Sequence, residues 1–267
     1  MVETVIKGVS IEGVVTVVPS DKVSFEEDAR RLNINISQAK RIKDNIGLGE
    51  RRVVKKGITA LDLGEKACKE LLKGLKYNEE NIGFLIFVTQ TPDHSQPCNA
   101  AILHGRLGFN TSVGSMDINL GCSGFVYALF VASSLAQNNM SKNILIVCAD
   151  TYTKYIENSD RTNKTIFSDG ASASLVSRSK KKCFGNFLMG TDGSGYKDLI
   201  VESGASRDGF QNANKVKLFM NGSKIFMFTV GNIPQNIEKL LKISKIKKKD
   251  IKTFFFHQGS KVILNSL

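Results

Sequence analysis

Residues 71–90 read LLKGLKYNEENIGFLIFVTQ, and residues 240–259 read LLKISKIKKKDIKTFFFHQG. At a constant offset of 169, Leu71, Leu72, Lys73, Lys76, Ile82 and Phe87 meet Leu240, Leu241, Lys242, Lys245, Ile251 and Phe256. The shared plan is a helix end, a polar turn, an isoleucine and then a buried strand. Self-similarity of this kind predicts a duplicated α/β unit, and so a chain of two similar halves sharing one core. Chance agreement between two helix-to-strand joints is the alternative.

The remaining pattern fits such a plan. The first residues alternate and are β-branched, as in a strand or hairpin. Ser24 caps a short acidic helix, and a second short helix over 37–45 ends at the Gly47–Gly49 turn. Thr59 opens a longer helix with Leu63, Ala67, Leu71 and Leu75 on one face. A strand at 83–90, a helix at 98–107, a strand at 114–119, an apolar helix at 123–137 and a buried strand at 143–149 follow. Strands at 171–178 and 184–191 precede a long helix over 222–242 that contains Pro234. Short apolar strands alternating with helices predict an α/β fold with a mostly parallel sheet covered on both faces. The two halves divide as 1–180 and 181–267.

Composition narrows the setting. With only 4 Pro and no Gly/Ser-rich tract, the 267 residues show no flexible linker. The N-terminus lacks a signal-peptide pattern, and no stretch reaches the ~18 apolar residues of a membrane helix. A cytoplasmic protein without membrane attachment is expected. Five cysteines, Cys68, Cys98, Cys122, Cys148 and Cys183, are an odd number without metal-like spacing, which predicts free thiols and no metal site. The net charge of +12 suits an acidic partner, or reflects lysine used as a solvating residue. The lysines are not interleaved with aromatic residues, which argues against nucleic acid.

Residues 117–129 read DINLGCSGFVYAL: a strand, a corner of small residues and an apolar helix. Cys122 stands at the helix start, where the dipole is expected to lower a thiol pKa and free N–H groups to receive an oxyanion. Cys68 within a helix, Cys148 in a strand, and Cys98 and Cys183 near element starts read as packing residues. His257 ends the apolar run TFFF, at the C-terminal end of the predicted strand, where α/β sites gather their chemistry. His94 and His104 read as structural.

DINLGCSGF resembles the active-site cysteine motif of ketoacyl-ACP synthase III, a thiolase-fold family. The resemblance runs along nearly the whole chain: GLGERRVV at 47–54, TPDHSQPCNAAILHGRLG at 91–108, DRTNKTIFSDGASASLV at 160–176, LFMNGSKIFMFTV at 218–230 and FFFHQGSK at 254–261. It implies a homodimer in the cytoplasm, acting in fatty acid biosynthesis with acyl carrier protein as partner. Coenzyme A or phosphopantetheine thioesters would be substrates, with no cofactor. Cys122 would accept an acyl group from a thioester, and His257 would stabilise the enolate left when a malonyl-carrier thioester loses carbon dioxide.

The resemblance also implies an asparagine after a glycine, and a glycine-rich oxyanion segment, both further along the chain. The sequence reaches Leu267 ahead of them, so a C-terminally truncated, incomplete second half is expected. Asn265 falls on a helix and is no substitute. Where some members carry a tryptophan that stacks on adenine, Arg41 stands near the place; Arg161 keeps the family's arginine, able to meet a phosphate or a base. Gly259 and Ser260 replace the usual Ala-Asn, and Gln96 stands where some members place an aromatic that limits acyl length. These departures point to a specialised acyl group, with Arg161, Gln96, Ser260 and Arg41 as substrate-binding residues. The alternatives are an acyltransferase acting on an amine or alcohol, and a non-catalytic homologue.

Overall fold

A computed structural model describes residues 2–180, 184–206 and 216–267; Cys183 lies outside them. The chain opens with β1 (Val2–Val5), β2 (Val9–Val17) and β3 (Lys22–Ser24), then α1 (Phe25–Arg31), α2 (Ile36–Ile46) and β4 (Glu50–Arg52). Next come α3 (Ala60–Leu75), β5 (Phe84–Val88), α4 (Asn99–Arg106), β6 (Gly114–Ile118), α5 (Gly124–Gln137) and β7 (Asn143–Asp150). After β8 (Gly170–Arg178) and β9 (Asn186–Met189) follow β10 (Leu199–Val201), β11 (Leu218–Met220), α6 (Gly222–Ser244) and α7 (Lys261–Ser266).

Local chemistry sets the helix starts. The Ser24 side chain accepts from the Glu27 N–H at 3.1 Å and begins α1. Thr59 and Asp62 form a reciprocal capping box at the start of α3. Asn35 begins α2, and Gly47 ends it in the left-handed region at φ 80°. Helix α6 runs unbroken through Pro234.

The central sheet has the order β2-β8-β7-β5-β6. Strand β5 is parallel to both β6 and β7, whereas β8 is antiparallel to β7 and to β2. The sheet is therefore mixed rather than mostly parallel. A parallel return needs a crossover long enough to cross the sheet. Residues 151–169 between β7 and β8 are long enough but carry no α-helix to span the sheet, only a 3-10 turn at Tyr152–Tyr155, and β8 returns antiparallel beside β7.

Both faces are covered, as expected. Leu85, Phe87, Leu145 and Val147 point to the face under α3 and α4, and pack with Leu61, Leu71 and Leu103. The alternate residues Ile86, Ile144 and Ile146 face α5, where Ala128, Ala132 and Ala136 meet them. Strand β1 leaves this sheet to pair antiparallel with β9, in register Val5 to Asn186.

The two joints 169 residues apart share their backbone. Helix α3 is capped by Lys76 at φ 50°, ψ 41°, and α6 by Lys245 at φ 56°, ψ 35°. Each is followed by a 3-10 turn, Glu79–Asn81 and Lys248–Asp250. The correspondence then stops. Residues 251–260 carry no regular secondary structure, against the buried strand expected there, and Phe255 is 94% exposed. Strand β5 has a neighbour on each side; the 253–257 segment pairs with no strand among the described residues. Without ladder partners its backbone has no reason to lie in a sheet, and its phenylalanines have no covering layer.

Candidate active site

The corner between β6 and α5 is built by close approach. The Asp117 carboxylate accepts from the N–H groups of Asn99 at 2.8 Å and Ala100 at 2.7 Å, fastening β6 to the start of α4. The Gly124 N–H then reaches the Gly121 carbonyl at 2.8 Å and closes the turn. A Cβ at Gly121 would overlap Gln90 Oε1, and one at Gly124 would overlap Val88 Cγ1. Two glycines thus let the corner press against the end of β5. Cys122 sits between them and is exposed, whereas Cys68 is buried and Cys98 and Cys148 are partly so.

The Cys122 thiol pKa is raised above its ordinary value, not lowered as the helix position predicts. Although solvent reaches the residue, desolvation of the thiol dominates. Its own backbone N–H opposes this, and the charge of Asp150 adds to it. Burial lifts Cys148 further, to about 12, and Cys68 further still. Cys122 is therefore the accessible thiol of these three.

Around Cys122 lies a polar cluster that the sequence reading missed. Asp150, at the end of β7, accepts from Thr89 Oγ1 at 3.0 Å, the Gln90 N–H at 2.8 Å, the Thr91 N–H at 3.0 Å and Thr91 Oγ1 at 2.9 Å. The Tyr152 hydroxyl donates to Gln90 Oε1. The Tyr152 ring stands 5.2 Å from that of Phe167, centroid to centroid. Burial first, then the charges of Asp150 and Cys122, push the Tyr152 hydroxyl above its ordinary range, so it stays protonated. The signal was available: these residues follow the C-terminal ends of neighbouring parallel strands, where such sites collect.

His257 is exposed on the irregular 251–260 segment, and desolvation lowers its pKa. Its ring lies beside Gly259, where a Cβ would stand 3.5 Å from Cδ2 and from Nε2. No hydrogen bond or charge coupling joins it to Cys122 among the described residues. Ser260 caps α7, its hydroxyl accepting from the Ile263 N–H at 3.2 Å. Lys261 packs on α2: a Cβ at Gly47 would come within 2.9 Å of its Cβ. Arg41 is exposed on that same α2. Arg161, also exposed, donates from Nη2 to the Asn33 carbonyl at 3.4 Å, just ahead of α2. The α1–α2 region thus neighbours Arg161 on one side and the Ser260–Lys261 start of α7 on another. Gln96 is exposed and joined to Pro97 by a cis peptide bond.

His104 pairs with the Asn110 carbonyl at 3.1 Å and stands edge-on to Phe109, in keeping with a structural role. Among the described residues no group of His, Cys, Asp and Glu could hold a metal ion, and no helix is long and apolar enough to cross a membrane.

The family profile described as 3-Oxoacyl-[acyl-carrier-protein (ACP)] synthase III matches residues 116–193, which include Cys122, Asp150 and Tyr152. A Campylobacter jejuni relative with a provisional 3-oxoacyl-[acyl-carrier-protein] synthase 3 name is 32% identical over 272 residues, covering 96% of this chain and 76% of that one. A beta-ketoacyl-[acyl-carrier-protein] synthase III of Fusobacterium nucleatum is 30% identical over 231 residues, covering 84% of this chain and 70% of its own. The crystal structure of a 3-oxoacyl-(acyl-carrier protein) synthase from Burkholderia xenovorans LB400 superposes with a TM-score of 0.92 at 32% identity, over 99% of this chain and 77% of that one. With the glycine-flanked Cys122 corner, the mixed sheet between two helical layers and these relatives in agreement, the chain belongs to the 3-oxoacyl-[acyl-carrier-protein] synthase III family of condensing acyltransferases with a thiolase-like fold.

Proposed function

We propose that Cys122 is the acyl-accepting nucleophile of a decarboxylative condensing enzyme. The observation that carries this is the exposed thiol at a glycine-flanked strand-to-helix corner, beside the ends of β5 and β7. The Cys122 thiolate attacks the carbonyl of an acyl thioester. The thiol of coenzyme A or of a carrier leaves, and an S-acyl cysteine remains. Because the Cys122 pKa is raised, the loading rate follows a small thiolate fraction at neutral pH.

A malonyl-carrier thioester then loses carbon dioxide, and the electron pair of the broken bond passes into an enolate. His257, neutral because its pKa is lowered, donates an N–H to the enolate oxygen. The α-carbon attacks the acyl carbonyl on Cys122, the cysteine thiolate leaves, and a 3-oxoacyl thioester is released. No cofactor enters these steps. Arg161, Arg41 and Ser260, which border the α1–α2 region, and Gln96 on its loop would receive the thioester's carrier portion and acyl group. The setting is a cytoplasmic homodimer served by an acyl carrier protein, with neither nucleic acid nor membrane involved. Free thiols and the absence of a membrane-spanning helix among the described residues are consistent with that setting.

Intact-protein mass spectrometry after incubation with acyl-coenzyme A is expected to show one added acyl mass. Cys122→Ala abolishes it; Cys68→Ala and Cys148→Ala do not. With malonyl carrier supplied, His257→Ala still loads but yields little 3-oxoacyl product. An adduct on another cysteine, or unchanged condensation by His257→Ala, overturns the respective assignment.

A further inference from the structure

At the turn that carries Cys122 stands a polar pair that the condensing steps do not use. Gln90 follows β5, and its Oε1 lies where a Cβ of Gly121, the neighbour of Cys122, would be. That oxygen is already engaged by the Tyr152 hydroxyl. The carboxamide nitrogen carries two N–H donors, and no described residue accepts from it. Nor is it among the enclosed polar atoms left without a partner, so it is not sealed from solvent. The tyrosine oxygen keeps a lone pair for a further donor. The close approach of Gln90 to Gly121, with the Tyr152 bond to the same oxygen, places the pair at the turn that carries Cys122.

A hydrocarbon chain laid on this pair would strip water from the carboxamide and return no hydrogen bond. An oxygen on the acyl chain would satisfy the nitrogen instead. A site built around such a donor discriminates against the analogue lacking the oxygen. Gln90 is adjacent to the nucleophile's own turn, so the matching oxygen belongs within the first few carbons of the acyl group.

We propose that Gln90 and Tyr152 form a specificity-determining wall that selects a short acyl group bearing a hydroxyl or oxo oxygen near its thioester, over a plain alkanoyl group of the same length. This rests on Cys122 being the nucleophile. In the loading step the Cys122 sulfur replaces the coenzyme A sulfur at the acyl carbon, and coenzyme A leaves as the free thiol.

The test is a competition between 3-hydroxybutyryl-coenzyme A and butyryl-coenzyme A at equal concentration, with both adducts followed by intact mass. The unaltered protein is expected to favour the hydroxyacyl group by about fivefold to tenfold, the scale of one hydrogen bond. Gln90→Met keeps the side-chain length, removes the donor and should bring the ratio near one. Tyr152→Phe frees the carboxamide to rotate and should lower the ratio part of the way. Because both adducts form in one sample, the ratio does not depend on the fraction of each variant that is folded. Equal loading or a preference for butyryl in the unaltered protein overturns the proposal, as does an unchanged ratio in Gln90→Met. Absence of any adduct on Cys122 with either thioester overturns the nucleophile reading itself, and this inference with it.

Discussion

Arg51 grips Asp28 in a fork, Nε donating to Oδ2 at 2.5 Å and Nη2 to Oδ1 at 2.9 Å, with both residues buried. The pair ties α1 to β4 and so fixes the base of the α1–α2 region that neighbours Arg161 and Lys261. Breaking it leaves one charge buried alone. Arg51→Met should therefore cost about 3–5 kcal/mol in urea unfolding, and the double variant Asp28→Leu/Arg51→Met should recover most of that loss. A single-variant loss below about 1 kcal/mol, the range of an exposed pair, would show that solvent reaches Asp28.

The two glycines beside Cys122 differ in what they press against. At Gly124 a new Cβ meets Val88 Cγ1, a stiff β-branched side chain within β5. At Gly121 it meets the far end of Gln90, which can swing aside at the cost of its bond to Tyr152. Gly124→Ala should lose about 1–3 kcal/mol of stability through overpacking. Gly121→Ala should lose less but alter acyl selectivity at Cys122. Equal losses at both sites would mean that Gln90 is as rigid as Val88.

Asp150 raises the Cys122 thiol pKa through its charge, on top of desolvation. The group is a thiol that ionises on losing a proton, so a nearby negative charge opposes ionisation and moves the midpoint upward. Alkylation of Cys122 by iodoacetamide, followed against pH, should show a midpoint above the ~8.5 of a free cysteine. Asp150→Asn should lower that midpoint and speed alkylation at pH 8, where the thiolate is the minor form. A midpoint at or below the free-cysteine value in the unaltered protein would count against the desolvated thiol described here.

Much of this was legible from local chemistry. Ser24 and Thr59 announce their helices because a hydroxyl at a helix start satisfies N–H groups that nothing else can reach. The matched αL caps at Lys76 and Lys245 follow from the internal sequence correspondence. Cys122 stood out because small residues on both sides left it room. What could not be read depends on distant partners. Whether β8 runs with or against β7 depends on whether the connection between them folds into a crossover helix, and the fate of 253–257 on whether a strand lies alongside. The direction of the Cys122 shift depends on desolvation and on Asp150, 28 residues away in sequence, which outweigh the helix start. Gln90 and Tyr152 look like ordinary loop residues until the sheet order sets β5 between β6 and β7.

The positive charge gives the last prediction. Lys247, Lys248 and Lys249 are exposed around the 3-10 turn after α6, at the start of the segment that leads to His257. Lys261 follows His257 and packs on α2, and Arg161 reaches the chain just ahead of α2. If an acidic carrier delivers its thioester beside α2, Lys261 and Arg161 meet it and the 247–249 run does not. Lys261→Glu and Arg161→Glu should each slow carrier-dependent turnover, by roughly threefold to tenfold at low ionic strength and less at physiological salt, where charges are screened beyond ~8 Å. Lys261→Glu should leave acyl loading from small thioesters nearly unchanged, which separates docking from chemistry. Reversing Lys247–Lys249 together should do little, because those side chains serve a solvated face. The opposite ranking would put carrier docking on the side of the molecule where α6 ends.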